Sequence, residues 1–195
     1  MAVLDWISSD NVYAVDGQAV RLRPPRASDF GEWADLRRRS REFLQPWEPT
    51  WPPDDLSRAA FRRRLSIYNH DLDLGQGYAF FVLRKSDDQL VGGINLRDVR
   101  RGVAQSGALG YWVGAPYARS GFTLDAVRTL VGFAFRRIGL HRLEAACVPE
   151  NEASRRLLLK AGFEPEGRAR AYLKIDGQWR DHLLFGLVNE AGGPG

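Results

Sequence analysis

The alternation of apolar and polar positions divides the chain into short strands and a few amphipathic helices. Val20-Arg21-Leu22-Arg23 alternates as a strand, and Pro24-Pro25 ends it because proline offers no ladder N–H. Phe30, Trp33, Ala34 and Leu36 recur at helical spacing, with Ser28 or Asp29 placed to cap. From Leu44 to Pro53 the chain carries Pro46, Pro49, Pro52 and Pro53 beside Trp47 and Trp51, so this stretch reads as loop. A second helix is expected from about Leu56 to His70. Three strands follow: Tyr78 to Arg84, Gln89 to Leu96 after the polar turn Ser86-Asp87-Asp88, and Ser106 to Val113. Leu124, Val127, Leu130, Val131, Ala134, Phe135 and Ile138 mark one face of a helix from about Thr123 to Ile138. Arg142 to Val148 reads as a strand, and Glu152 to Ala161 as a helix ended by Gly162. Arg168 to Ile175 and Gln178 to Val188 form a hairpin turning at Asp176-Gly177.

The order β-α-α-β-β-β-α-β-α-β-β predicts an α/β (α+β) domain, a mixed sheet with helices packed on it. Residues 20–190 are expected to form that domain, after an arm at 1–19 and before a Gly/Pro tail at 191–195. The hydrophobic content of 44% supports a core, and the length of 195 residues suits one domain. The net charge of +4 comes mainly from arginine and suits an anionic ligand without indicating nucleic acid. With Cys147 as the one cysteine, no internal disulfide can form, and the chain is expected to be soluble and cytoplasmic, with no membrane span. His70, His141 and His182 are too scattered to suggest a metal site.

The candidate chemistry begins at Tyr117-Ala118-Arg119-Ser120-Gly121-Phe122-Thr123, between a strand and a helix. A glycine turn at a helix start leaves backbone N–H groups free, and with the helix dipole these make an anion site. Arg119 adds a cation able to bind two oxygens at once. The second block is Asn151-Glu152-Ala153-Ser154, followed by Lys160-Ala161-Gly162-Phe163. Asn151 suits a helix N-cap and Ser154 lies in the first turn.

Together these blocks resemble the two acetyl-CoA-binding segments of the GNAT family of N-acetyltransferases. Phe163-Glu164-Pro165-Glu166-Gly167, then Tyr172 to Trp179 and Asp181, resemble its RimJ/RimL-like branch, which acetylates ribosomal protein N-termini among other amines. The resemblance implies a sheet splayed between the fourth and fifth strands, with the pantetheine arm of acetyl-CoA lying in the splay as an added strand. Tyr111, Trp112 and Val113 are then the edge candidates, and the Val113 N–H is the expected oxyanion donor. The pyrophosphate is expected on Arg119, Ser120, Gly121, Phe122 and Thr123, although Ala118 stands where the family has Gln or Arg. Asn151 and Arg156 are implied on the donor side, and Ser154 is implied to protonate the departing thiolate.

An amine can attack a thioester directly, so the chemistry needs at most a weak general base. Glu48, Glu144 and Asp181 are candidates, and each is equally a surface carboxylate or ion-pair partner. Relatives often carry a glutamate near the position of Leu173; in its absence Tyr172 is a candidate proton shuttle. Cys147 is expected to be a small core residue. The expected acceptor is the N-terminus of a protein or peptide, possibly ribosomal, held by the Trp47–Pro53 loop and the early helices. A small-molecule amine is the enzymatic alternative, and the arginine-rich acceptor side argues against a polycation. A non-catalytic acyl-CoA or RNA-binding module is the alternative from another class, with direct nucleic-acid binding not favoured.

Overall fold

A computed structural model describes residues 13–190. Its strands are β1 (Val15–Asp16), β2 (Val20–Arg23), β3 (Tyr78–Arg84), β4 (Gln89–Arg100), β5 (Ser106–Val113), β6 (Arg142–Cys147), β7 (Glu164–Ile175) and β8 (Gln178–Val188). Its helices are α1 (Phe30–Arg39), α2 (Arg41–Leu44), α3 (Arg58–Asp73), α4 (Phe122–Arg136) and α5 (Glu152–Lys160). The strands form one sheet in the order β1-β2-β3-β4-β5-β6-β8-β7. Only β5 and β6 pair in parallel; their connection carries α4, as a parallel crossover requires.

The expected elements are present, with ends that move. β4 runs on to Arg100 and β7 begins at Glu164, because pairing with neighbours extends both beyond their alternating segments. The Trp-Pro stretch is not wholly loop: α2 ends at Leu44, and Gln45–Trp47 make one 3-10 turn. Val15–Asp16, within the expected arm, pairs with β2. The remainder of that arm up to residue 12, and the expected tail at 191–195, lie outside the described residues. Among the described residues no helix is long and apolar enough to cross a membrane.

The sheet separates two cores. On one face α4 and α5 bury Val127, Leu130, Phe133 and Leu158 against Leu143, Ala145, Cys147 and Phe185. On the other, α1 and α3 bury Trp33, Leu36 and Phe61 against Phe81, Leu83 and Leu90. Two polar contacts set how these layers meet. Asp125 in the first turn of α4 accepts the N–H groups of Gln18, Ala19 and Val20, pinning the start of β2 to the helix. Buried Ser40, at the end of α1, accepts the Ala115 N–H at 2.9 Å and so holds the turn that leaves β5. Asp29 precedes α1 without capping it through its side chain, because its carboxylate is taken by the Arg23 guanidinium and the Arg26 N–H.

Candidate active site

β5 and β6 pair only from Ser106↔Arg142 to Leu109↔Ala145. β5 then continues from Gly110 to Val113, while β6 continues alongside β8 to Cys147. The two strands therefore diverge at their C-terminal ends, and β5 presents an unpaired edge. The Gly114 N–H donates to the Val91 carbonyl at 2.8 Å, which sets the alternation along β5. Trp112 turns its backbone toward β4, whereas Tyr111 and Val113 turn their N–H and C=O groups into the gap. An extended ligand laid there finds two residues of free backbone, as a strand added to a sheet would.

Side chains alternate across this edge. Tyr111 faces α5, and its hydroxyl lies 2.7 Å from the Ser154 hydroxyl. Burial pushes the Tyr111 phenol up from its ordinary value, so it stays protonated at neutral pH. Trp112 faces the other core, its indole resting on Gly93, where a Cβ would collide with the ring nitrogen. The Trp112 side chain thus serves the α1 side. Cys147 is buried on the Tyr111 side, and desolvation raises its thiol above the ordinary value.

At the mouth of the gap, Arg119 (φ 62°) and Gly121 (φ 83°) adopt left-handed backbone before α4. Gly121 takes this conformation without the strain a side chain would bring. The turn leaves the first N–H groups of α4 open beside exposed Arg119 and Ser120. A small hollow beneath the start of α4 is lined by Val82, Ile94, Tyr111, Val113, Phe122 and Ala126. The free backbone edge and the open helix start suit an extended, phosphate-bearing ligand. Asn151 accepts the Ser154 N–H at 3.0 Å and so caps α5, orienting the serine. Arg156 is 75% exposed in its side chain and leans on Glu152, away from the Tyr111–Ser154 pair.

The other face of the gap carries the acceptor-side candidates. Glu48 forms a bidentate pair with Arg37 and accepts the Trp51 indole N–H at 2.8 Å. The Glu48 carbonyl accepts the Asp176 N–H, and Gln45 donates to the Asp176 carboxylate, tying the Trp-Pro loop to the tip of the β7–β8 hairpin. Glu144 lies below the divergence, where β5 and β6 still pair, and both its oxygens face the guanidinium groups of Arg100 and Arg142. The structure does not bring Glu144 to the gap. Asp181 accepts the Ala171 N–H and the Arg168 guanidinium, and these hold its carboxyl below the ordinary range. Tyr172 packs edge-on against His182, a buried histidine that no spacing pattern singled out.

Comparison with known proteins agrees with this layout. The model of the acetyltransferase (GNAT) domain matches residues 19–164. A probable N-acetyltransferase, YjcK, of Bacillus subtilis (strain 168) is 34% identical over 173 residues, covering 89% of this chain and 96% of the relative. The [ribosomal protein uS5]-alanine N-acetyltransferase of Escherichia coli (strain K12) is 33% identical over 180 residues, 92% of each chain. The structure of Mycobacterium smegmatis RimJ in complex with CoA-disulfide superposes with a TM-score of 0.87 at 30% identity, covering 93% of this chain and 90% of that one.

Proposed function

The chain belongs to the GNAT acetyltransferase family, and from that premise we propose that it is an acetyl-CoA-dependent N-acetyltransferase acting on the α-amino group of a protein N-terminus. The observation that carries the reading is the 2.7 Å contact of the Tyr111 and Ser154 hydroxyls beside the unpaired β5 edge. A thioester laid along that edge would pass beside these hydroxyls. The acceptor class is supported by the relative whose name specifies a ribosomal protein alanine.

Acetyl-CoA, when bound, supplies an acyl thioester that an amine can attack without a protein nucleophile. The residues of this chain hold and polarise it. The start of α4, with Arg119, suits the pyrophosphate; the backbone of Tyr111 and Val113 suits the pantetheine arm. The Val113 N–H, turned into the gap, suits the thioester oxygen as charge develops there. Tyr111 remains a phenol, so it can donate to the Ser154 Oγ. The Ser154 O–H is then left to protonate the departing sulfur. On the opposite face, the Trp-Pro loop and the hairpin tip wall the approach of the acceptor.

Release of CoA thiol is the assay, run across alanine- and serine-initiated peptides and spermine. Peptides should react and spermine should not; the reverse would transfer the reading to a small-molecule amine. CoA should also raise the thermal midpoint, as a ligand selective for the folded state does. A protein that shows neither a CoA shift nor thiol release has no place for this reading.

A further inference from the structure

His182 lies on β8 one residue beyond Leu183, the partner of Cys147 and the last β8 position paired with β6. It is therefore level with the end of β5, which has already left β6. Leu183 and Phe185 face the α4–α5 core, so alternation turns His182 and Leu184 to the opposite face. That face carries Trp112, with Arg37, Glu48 and Trp51 packed beside it. Gly110, Ala146 and Leu184 on this face are only half-buried, although their strands are interior to the sheet. Solvent therefore reaches this face of the sheet where β5 leaves β6.

His182 itself is 3% exposed. Its Nδ1 is 3.0 Å from the Arg180 carbonyl oxygen. A carbonyl can only accept, so Nδ1 carries a hydrogen, and in the neutral imidazole Nε2 keeps its lone pair. No hydrogen bond engages Nε2 among the described residues. Tyr172 covers the ring edge-on, with centroids 5.6 Å apart. A bulge in β7 after Ala169 carries Tyr172 there, and Asp181 pins it through the Ala171 N–H. Nearby, Arg168 pairs with Asp181 and Arg180 with Glu150, and Arg170 also lies close to Asp181. Glu48, Glu144 and Asp181 all have their oxygens engaged by donors, whereas no donor engages the His182 Nε2 among the described residues.

We infer that His182 is the acceptor-side base, taking the proton of the attacking amine on Nε2. This rests on the transferase reading above. The amine nitrogen bonds to the carbonyl carbon and its proton passes to Nε2. The C–S bond breaks, and the sulfur takes its proton from Ser154. Nε2 returns its proton to solvent, and solvent restores the Ser154 hydroxyl, so amide and free thiol are the only products.

The test uses the full chain with acetyl-CoA and an alanine-initiated peptide. His182→Asn keeps an N–H where Nδ1 stands and removes Nε2. Its kcat should fall by about 100-fold or more, while the KM for acetyl-CoA and the CoA-induced rise in thermal midpoint are kept. Added imidazole should restore part of the activity of His182→Ala. A His182→Asn enzyme as active as wild type overturns the assignment. Loss of the CoA shift in both variants also overturns it, making His182 a core residue only. A wild-type protein inert toward every amine overturns the transferase reading itself.

Discussion

Arg37 holds Glu48 through two parallel bonds, Nη1 to Oε1 at 2.7 Å and Nη2 to Oε2 at 2.6 Å. The guanidinium stacks over the rings of Trp51 and Trp112, and the pair is 7% and 20% exposed. Loop, helix α1 and strand β5 are thus joined through one cation. Because the charge is buried, removing its partner should cost far more than a surface pair would. Glu48→Ala should lower stability by about 3–5 kcal/mol in urea denaturation. Arg37→Leu/Glu48→Leu should cost less than the two single changes together, since no charge is left orphaned. A loss below about 1 kcal/mol for Glu48→Ala would mean that water reaches the pair as it reaches a surface bridge.

Ser154→Ala should lower kcat by about 100-fold or more while leaving CoA binding intact. Tyr111→Phe removes the hydroxyl that partners Ser154 and should lower kcat less. Single-turnover kinetics beside calorimetric CoA titration separate the two quantities. Unchanged turnover in Ser154→Ala would take it out of the chemistry.

Asp181 gives a signed pH effect. The Ala171 N–H and the Arg168 guanidinium hold its folded pKa below the ordinary 3.8. Its contribution is therefore fully present above that value and disappears as pH falls through the lowered one. Exchange of the Ala171 amide should be slow at neutral pH and become unprotected in acid. In Asp181→Ala, hydrogen exchange at this amide should be fast at every pH. Equal protection in both proteins would show that the bulge holds without the carboxylate.

Asp125→Ala should orphan the Gln18, Ala19 and Val20 N–H groups. Bonds to a charged acceptor are worth about 1.5–3 kcal/mol, and solvent can reach two of these donors, so a total loss of about 1–3 kcal/mol is expected. Asp125→Asn should lose less, because an amide oxygen can still accept. Thermal denaturation of the two variants tests the order.

Gly121 holds φ 83° at the start of α4. Gly121→Ala should lower stability by about 1–2 kcal/mol and weaken CoA binding, since the N–H groups around it are re-aimed. Calorimetry would expose an unchanged affinity and with it a misplaced anion site.

How much of this was legible in the sequence depends on how local each feature is. β3, β5 and β8 stand where their alternation put them, and Gly121 and Asn151 start their helices as spacing suggested. Periodicity, turn chemistry and helix caps act over a few residues, so the chain carries them openly. Glu144 looked close to the splay because it sits in the right strand, but register leaves it one position short of the last paired residue. Trp112 looked like donor edge, and the phase of the β4–β5 ladder turned it to the other core.

The sequence by itself determined the elements, their order and the two segments that resemble acetyl-CoA-binding ones, because each is written in short runs of neighbouring residues. Only the tertiary structure decided which carboxylates are free. Glu48 meets Arg37 and Trp51, Glu144 meets Arg100 and Arg142, and Asp181 meets a bulge on the facing strand. It also set the His182 Nδ1 against the Arg180 carbonyl. A side chain's partners come from segments far away along the chain, brought together by sheet register and helix packing, and no local pattern records them.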